Sequence, residues 1–237
     1  MTASAVLSCE NVAKRFGRTT ALRSVTLSVQ EGEFVAVFGH NGAGKSTLLN
    51  IVATLIRSYE GTVSLFGGDL AKANEETRRS LGFMSHDSFL YADLTAYENL
   101  VFYARLYGIR DPSGAVRAML GRVDLAHKAQ SIVRELSRGM KQRLSLGRAF
   151  LHSPKLLLLD EPYTGLDETA CVNLNNMLSE FTAGGGTVML TTHDIDRGFR
   201  VANRILVLNQ GRVVMESRTA EIGLEEFRER YHGILSK

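Results

Sequence analysis

The sequence predicts an α/β fold: a mostly parallel sheet with an inserted α-helical subdomain and a small antiparallel β subdomain beside it. Three observations lead to this prediction. Short apolar runs alternate with helix-like segments, and several runs are apolar at nearly every position, as in strands buried on both faces of a parallel sheet. Residues 87–148 carry helical patterns without a convincing strand. The N-terminal region and residues 62–69 instead carry short alternating strand patterns.

The predicted elements follow in chain order. Strand-like runs occupy residues 25–29, 34–38, 62–66, 156–159, 188–191 and 205–208. Helix-like segments occupy residues 45–56, 97–107, 115–122, 140–151, 168–181 and 194–202. We expect one domain over residues 1–237, with the core and β subdomain in residues 1–86 and 149–237. The helical subdomain is expected over about residues 87–148.

Length and composition indicate an ordinary globular protein. The chain has 237 residues, 44% hydrophobic and 22% charged, which is enough for a sizeable core. A net charge of +3 is too weak to indicate nucleic-acid binding. Because no apolar run approaches the roughly 18–20 residues that span a bilayer, and no signal-peptide pattern begins the chain, we expect a cytoplasmic location. Cys9 and Cys171 have no metal-ligand spacing and are expected to be buried, reduced thiols.

A glycine-rich motif of the form G-x-x-x-x-G-K-[ST] joins the apolar run at residues 34–38 to the next helix-like segment. Such a loop turns backbone N–H groups toward phosphate oxygens, and the helix N-terminus adds a positive dipole end. Lys45 would contact the β- and γ-phosphates, and Ser46 would bind Mg²⁺. The alternative, a glycine-rich turn with an incidental lysine, does not explain the strand and helix on either side. The expected nucleotide-binding residues are Gly39, His40, Asn41, Gly42, Ala43, Gly44, Lys45, Ser46 and Thr47.

Two acids end the apolar run at residues 156–159. A buried strand would deliver Asp160 at its carboxyl end, where ligands of open α/β sheets bind, and Asp160 would hold Mg²⁺ through oxygen. Glu161 would act on the attacking water as a general base or orienting group. The alternative is that the two acids only cap the following helix.

A further motif lies about 90 residues after the phosphate loop and reads Leu136-Ser137-Arg138-Gly139-Met140-Lys141-Gln142-Arg143. It resembles the signature sequence of ABC ATPases, whose usual form is Leu-Ser-Gly-Gly-Gln. Ser137 is also a suitable N-cap for the following helix, and a capped helix N-terminus near a glycine is itself an anion site. The structural and functional interpretations of Ser137 do not exclude each other.

The resemblance to ABC ATPases covers essentially the whole chain, with the motifs in family order. It implies that Asp167 is the D-loop aspartate, that His193 is the switch histidine at the γ-phosphate, and that Phe16 stacks on adenine. Judged alone, His193 would be a structural histidine and Phe16 a core residue. The order of the motifs favours the functional assignments.

The resemblance also implies a P-loop NTPase (RecA-like) core that uses ATP and Mg²⁺. Two ATPase subunits would form a head-to-tail homodimer, or a pair of related subunits, in which Ser137 and Gly139 of one cover the ATP held by Lys45 of the other. Closure and hydrolysis would move integral membrane permease subunits. The implied location is peripheral, on the cytoplasmic face of the inner membrane, with no nucleic-acid partner.

Two positions depart from the family pattern. Arg138 replaces the usual signature glycine and would place a cation beside the phosphates. His86 replaces the usual Q-loop glutamine, so it is a candidate both for catalysis and for binding the metal. A neutral imidazole offers one acceptor nitrogen, and its protonation would make turnover sensitive to pH. The alternative is that His86 only links the subdomains.

Residues 85–108 are similar to bacterial exporter ATPases, in particular those that export haem for cytochrome c maturation. Multidrug and polysaccharide exporter ATPases share much of this pattern. ABC ATPases of DNA repair and translation fit less well, because the chain has one ATPase unit and neither a long coiled coil nor zinc spacings. Phe89, Leu90 and Tyr91 form an apolar cluster that predicts a docking site for a membrane-subunit helix, the alternative being a core role.

Overall fold

The computed structural model describes residues 5–236 and contains two sheets. The larger sheet has six strands in the order β10-β9-β3-β8-β7-β6, and the smaller has four in the order β2-β1-β4-β5. The ten strands are β1 (Ala5–Phe16), β2 (Thr19–Gln30), β3 (Phe34–Phe38), β4 (Glu60–Leu65), β5 (Gly68–Asp69), β6 (Leu81–Met84), β7 (Leu156–Asp160), β8 (Thr187–Thr192), β9 (Arg204–Asn209) and β10 (Arg212–Arg218).

Eight α-helices connect and cover these strands within the described residues. They are α1 (Lys45–Val52), α2 (Glu75–Arg79), α3 (Ala96–Leu106), α4 (Pro112–Arg122), α5 (Arg138–Phe150), α6 (Glu168–Ala183), α7 (Ile195–Val201) and α8 (Leu224–Leu235). None of them is long and apolar enough to cross a membrane, as far as residues 5–236 are concerned.

The larger sheet is buried on both faces because its central strands are apolar at every position. All five residues of β3 and of β7 are buried. Along β3, Phe34, Ala36 and Phe38 enter one core cluster, and Val35 and Val37 enter the other. All neighbouring pairs are parallel except β9 with the edge strand β10. The continuous apolar runs of the sequence therefore correctly predicted a covered parallel sheet.

The smaller sheet is antiparallel throughout, as its alternating pattern predicted. Arg204 at the start of β9 ties it to the larger sheet. Its Nη1 donates to the Ser28 carbonyl of β2 at 2.7 Å and to Glu33 at 2.9 Å. Cys9 of β1 is buried, and burial raises the pKa of its thiol to about 12. Cys171 is also buried and free, so both thiols behave as the sequence predicted.

Helices α3, α4 and α5 occupy the connection between β6 and β7. Thr95 begins α3 with a capping box, since its hydroxyl accepts from the Glu98 N–H at 3.1 Å and the Glu98 carboxylate accepts from the Thr95 N–H at 2.8 Å. The fully buried Asn99 holds the preceding segment: its side chain bonds to the Tyr91 N–H and to the carbonyls of Tyr91 and Thr95 at 2.8–3.0 Å. The subdomain boundaries near residues 86 and 149 stay a prediction.

The structure differs from the sequence-based prediction in the end of one helix and in two strands that were not predicted. The helix predicted over residues 45–56 ends at Val52, and Thr54 adopts a left-handed φ of 64°. The short strand β6 was missed because Gly82 lowers its strand propensity. That glycine is required, since a Cβ would lie 2.3 Å from the Ala149 carbonyl oxygen. Strand β10 was missed because none of its positions is buried and four of its seven residues are polar.

Candidate functional site

The phosphate loop runs from the end of β3 to the start of α1, as predicted. Its glycines meet two different constraints. Gly44 caps α1 with a φ of 107°, and a Cβ there would lie 2.5 Å from the Ala21 carbonyl oxygen. At Gly39, a Cβ would lie 2.3 Å from the Leu208 carbonyl oxygen. The loop can therefore pass between β2 and β9 only where these side chains are missing.

Lys45 is buried beneath this loop, with 6% of its side chain exposed. Its Nζ donates to the Gly39 carbonyl at 2.7 Å and to the His40 carbonyl at 3.4 Å. The same Nζ lies 3.4 Å from Glu161 Oε1. A buried ammonium group that can reach both the loop and a carboxylate is well placed for a polyanionic ligand.

Asp160 ends β7 and Glu161 follows it. In the sheet, β8 separates β7 from β3, the strand that leads into the phosphate loop. Asp160 is buried and its Oδ1 accepts a hydrogen bond from the Thr191 hydroxyl at 2.5 Å. The Glu161 N–H donates to the Thr191 carbonyl at 3.1 Å. The helix that follows is capped by Asp167 instead, so the alternative that the two acids only cap a helix is wrong.

Glu161 adopts a left-handed φ of 49°, which turns it out of the strand direction. Its Oε2 lies 2.9 Å from Nδ1 of His193 and 3.3 Å from the His193 backbone nitrogen. Its buried Oε1 makes no hydrogen bond of acceptable geometry within residues 5–236, although Lys45 Nζ is nearby. Glu161 therefore links the phosphate loop to the end of β8, with Oε2 at His193 and Oε1 at Lys45.

His86 is exposed and lines a cleft of about 600 Å³ together with Asp160 and Glu161. From α5, Arg138, Lys141 and Gln142 line the same cleft. Gln142 Nε2 donates to the Pro162 carbonyl at 3.2 Å. The structure thus brings His86 to the two acids, as predicted, while its catalytic and metal-binding roles stay predictions.

The signature residues lie at the N-terminus of α5. The Ser137 hydroxyl accepts from the Met140 N–H at 3.2 Å, so the predicted N-cap is confirmed, and its own proton remains available to a phosphate oxygen. A Cβ on Gly139 would lie 2.8 Å from the Gly165 carbonyl oxygen. The side chain of Arg138 packs against Gly165, in the segment that leads to Asp167. Asp167 accepts from the Ala170 N–H at 2.8 Å as the N-cap of α6.

The remaining predicted residues surround the loop. Phe16 ends β1 with 49% exposure, so it is not a core residue, and Lys14 Nζ lies 4.9 Å from its ring centroid. The His40 ring is close to the Asn41 carbonyl (2.6 Å) and to Asn209 Oδ1 (3.1 Å). Ser46 is exposed at the second position of α1, followed by the half-buried Thr47. Adenine stacking on Phe16 stays a prediction.

The donor set fits Mg²⁺ with a nucleotide. Within residues 5–236, no three His, Cys, Asp or Glu residues cluster into a complete metal cage. Mg²⁺ bound through one or two protein oxygens plus substrate phosphates needs no such cage. The Ser46 hydroxyl and the buried Asp160 carboxylate are oxygen ligands of this kind.

Two functional candidates were not recognised from the sequence. Thr191 contacts both acids through its hydroxyl and carbonyl, and Gln142 contacts the chain just after them. The polar end of the apolar run at residues 188–191 is a signal that would have indicated Thr191. Gln142 lies two residues beyond Met140, the last position of the five-residue signature form.

Comparison with known proteins identifies the family of the chain. The family described as "ABC transporter" matches residues 22–164. The linearmycin resistance ATP-binding protein LnrL of Bacillus subtilis strain 168 is 30% identical over 211 residues, which cover 88% of this chain and 68% of LnrL. The Nod factor export ATP-binding protein I of Burkholderia lata is 36% identical over 208 residues, covering 87% of this chain and 68% of that protein.

A third relative matches over nearly its whole length. The cell division ATP-binding protein FtsE of Streptococcus pneumoniae D39 is 32% identical over 228 residues, covering 93% of this chain and 99% of FtsE. Among solved structures, the dimeric post-hydrolysis state of the ATP-binding cassette MJ0796 bound to ADP and Pi superimposes with a TM-score of 0.84. Its sequence is 30% identical, and the match covers 90% of this chain and 98% of that one.

The fold and the comparisons agree on the reaction and on the class of protein. The core is that of an ABC ATPase cassette, and the chain is an ATP-hydrolysing enzyme. The profile match spans more than half of the sequence and includes the phosphate loop, the signature and both acids. The chain belongs to the ABC transporter family, as an ATP-binding subunit.

Proposed function

We propose that this chain is the ATPase subunit of an exporter and that it drives separate membrane permease subunits. The observation that carries the catalytic part is the position of Glu161. Its carboxylate lies between Lys45 at the phosphate loop and His193 at the end of β8. A group in this position can act on the water that attacks the γ-phosphate.

The proposed reaction is hydrolysis of the β–γ phosphate bond of ATP by a water that attacks in line with the leaving group. The water oxygen bonds to the γ-phosphorus, the bond to the β–γ bridging oxygen breaks, and Glu161 accepts the water proton. Lys45 balances charge on the phosphates, and His193 orients the Glu161 carboxylate through Nδ1. Ser46 and Asp160 would hold Mg²⁺, which would neutralise negative charge on the phosphates. His86 is a further candidate ligand of the metal.

The proposed active state is a head-to-tail dimer. Ser137 retains a donor proton at the N-terminus of α5, and Gly139 lets that N-terminus approach the Gly165 carbonyl. Both features suit a helix end that covers a phosphate of the opposite subunit. The MJ0796 cassette, whose fold is similar, is described as a dimer. Asp167, next to this contact, would lie at the dimer interface.

The proposed docking surface for the permease is an apolar groove where β6 meets the helical segment. The groove has a volume of about 260 Å³ and is lined by Leu55, Leu81, Phe83, Phe89, Tyr103 and Tyr107 among others. Phe89 is 42% exposed and Leu55 is 53% exposed. Tyr91, Phe102 and Leu106 extend the exposed apolar area beside it. The core alternative holds only for Leu90, which packs partly against the main core.

Large exposed apolar patches of this kind mark interaction sites in soluble proteins. Charged replacements at Leu55 and Phe89 test the assignment, because both side chains line the groove and are exposed, so the changes should release the permease and leave basal ATPase activity intact. A matched control is Val172→Asp, since Val172 is equally exposed on α6 and lies outside the groove. If the doubly substituted chain still co-purifies with the permease, the docking surface lies elsewhere.

We propose that the transporter exports its cargo, and export of haem is the narrower hypothesis. The only support for haem as the cargo is the similarity of residues 85–108 to haem exporters. The names of LnrL and the Nod factor protein instead favour a role in drug resistance or in the export of another product. A non-transport role like that suggested by the name FtsE is the second candidate, because that match covers both chains almost completely.

One experiment separates these cargo hypotheses. Deletion of the gene in its native host should leave c-type cytochromes unassembled if haem is the cargo. It should lower resistance to exported compounds, with normal cytochromes, if the chain serves a drug exporter. A division defect with neither effect would support the FtsE-like role. Complementation with Glu161→Gln checks that each effect needs ATP hydrolysis.

A further inference from the structure

Arg148 is a buried cation in the floor of the apolar groove. It lies near the end of α5 and is 7% exposed. Its Nη2 donates to the Phe83 carbonyl at 2.7 Å. The guanidinium carbon lies 5.4 Å from the ring centroid of Phe89 and 5.2 Å from that of Tyr103. Its Nε–H is buried and has no acceptor among the described residues.

No carboxylate balances the charge of Arg148 anywhere in residues 5–236. Each ion pair of the described chain involves other cations. Burial lowers the pKa of Arg148, but a guanidinium group stays protonated in proteins. Its positive charge is therefore held by one carbonyl and two aromatic faces. A buried charge without a counter-ion is costly, and such a group is usually paired.

The neighbouring His152 does not neutralise this charge. Burial, together with the nearby charge of Arg148, lowers the pKa of His152 to about 4, although its bond to Leu81 opposes the shift. The imidazole is therefore neutral near pH 7, stacked on Tyr107 at 3.7 Å between ring centroids, with its Nε2 donating to the Leu81 carbonyl at 2.9 Å. Arg148 remains the charged group at this end of the groove floor.

The rim of the groove has the same sign of charge. Besides Arg148, the only charged residue that lines the groove within the described chain is Arg78, which is exposed and bonds to the Ala73 carbonyl. No Asp or Glu lines it. The groove therefore combines apolar walls with two positive charges, one of them deeply buried. Its complement is an apolar segment that carries a carboxylate.

We propose that Arg148 is the anchor for an acidic side chain on the docking helix of the permease. The proposal rests on the docking function proposed above and names the contact that fixes the partner in the groove. An Asp or Glu flanked by apolar residues would accept from the part of the Arg148 guanidinium that lines the groove, while its neighbours cover Phe89 and Leu55. A carboxylate bound there gains a charge-assisted hydrogen bond in a site that excludes water.

The test uses the complete transporter, with this chain co-expressed with its permease and purified in detergent. Arg148→Gln should lower the yield of complex at least tenfold, whereas Arg148→Lys retains charge and should lose less. The carboxylates in the permease's cytoplasmic helices are then changed to amides one at a time. One of these changes should lower the yield by a similar factor, and adding Arg148→Gln to it should cause no further loss.

Charge reversal gives an independent readout. Arg148→Glu should abolish the complex, and a lysine in place of the identified permease carboxylate should restore it. Thermal unfolding and basal ATPase of each isolated variant check that the chain still folds, and Arg78→Gln is the matched control for a rim charge. If every carboxylate change is additive with Arg148→Gln, and no reversal rescues, the proposal is wrong. If the wild-type chain binds no permease at all, the proposed transport function fails instead.

Discussion

His193 and Glu161 form a direct contact between the ends of two neighbouring strands: Nδ1 of His193 lies 2.9 Å from Oε2 of Glu161. The histidine side chain is 64% exposed, whereas that of the glutamate is 21% exposed. The contact therefore joins a half-buried carboxylate to a group that faces outward, where a second subunit or a phosphate can reach it. It also leaves Oε1 of the glutamate directed at Lys45.

Glu161→Gln should abolish hydrolysis and keep ATP binding. The amide retains the shape of the side chain but cannot take a proton from water, so phosphate release should fall about 100-fold or more. The ATP-bound dimer should then accumulate and be visible by size-exclusion chromatography. Glu168→Gln is the matched control, because Glu168 is an exposed acid that pairs with Arg197 away from the phosphate loop.

Lys45→Ala should abolish ATP binding, whereas Glu161→Gln should abolish only hydrolysis. It removes the cation beneath the loop, so titration with a fluorescent ATP analogue should show lost affinity and no stable dimer. Lys155→Ala, near the opposite end of β7, should bind normally. Normal turnover in Glu161→Gln would refute the catalytic assignment, and normal affinity in Lys45→Ala would refute the phosphate site.

Gly139→Ala should weaken the closed dimer without preventing folding. The added Cβ would lie 2.8 Å from the Gly165 carbonyl oxygen, so the segment before Asp167 must shift. Overpacking of this kind costs about 1–3 kcal/mol, which corresponds to roughly 5- to 150-fold in an equilibrium constant. The measurement is ATP-dependent dimer formation by a chain that carries Gly139→Ala together with Glu161→Gln, compared with a chain that carries Glu161→Gln alone.

Gly121→Ala is the control for this change, because nothing lies within 4 Å of a Cβ at that helical position. It should leave the dimer unchanged and stabilise α4 slightly. Equal dimerisation of the two variants would show that the contact with Gly165 does not matter for closure.

His86→Gln should retain activity, because glutamine offers a carbonyl acceptor where the imidazole offers an acceptor nitrogen. His193→Ala should lose most turnover, because Glu161 would lose its 2.9 Å contact. The measurement is the ATPase rate of the three chains. A His86→Ala variant that matches wild type would reduce His86 to a linking residue.

His152 should make the fold less stable in acid. Its pKa is lowered from 6.5 to about 4 by burial, so between these values the unfolded chain binds the extra proton and the folded chain does not. Stability should therefore fall as the pH is lowered from about 6.5 toward 4, by on the order of 3 kcal/mol in total for this group.

Thermal unfolding of wild type and His152→Gln across this pH range measures the effect. The variant should unfold at a lower temperature near pH 7, because the stacking on Tyr107 is lost, but its Tm should depend less on pH. His127→Gln, at an exposed position, should behave like wild type. A parallel pH dependence in His152→Gln would contradict the assignment.

The parts of the site whose residues are adjacent in the sequence could be predicted from the sequence. The phosphate loop is a continuous motif, and Asp160 and Glu161 end a run of four leucines, so their place at a strand end follows from the pattern. The polar end of the run at residues 188–191 marks Thr191 as a strand end, but its partner could not be predicted in this way. Its contact with Asp160 depends on β8 lying between β3 and β7, and the order of strands in a sheet is set by tertiary packing.

The fold was predicted in the same uneven manner. The buried strands β3 and β7 carry continuous apolar runs, so both were recognised. Strand β1 is twelve residues long and includes bulges at several registers, which interrupt its alternation, and its full length was therefore missed. The helices α3 to α5 were recognised with boundaries within about three residues, which is typical for periodic segments.

The hydrogen bonds of Asn99 have a consequence for the rate at which a partner leaves. Because its side chain fastens the chain at Tyr91 and Thr95 before any partner arrives, the segment beside the groove is already in one shape. Little conformational entropy of this loop is then lost when the partner binds. More of the contact energy therefore remains as binding free energy, which slows dissociation of the complex. A subunit that must stay attached through many cycles of ATP hydrolysis benefits from this slow dissociation.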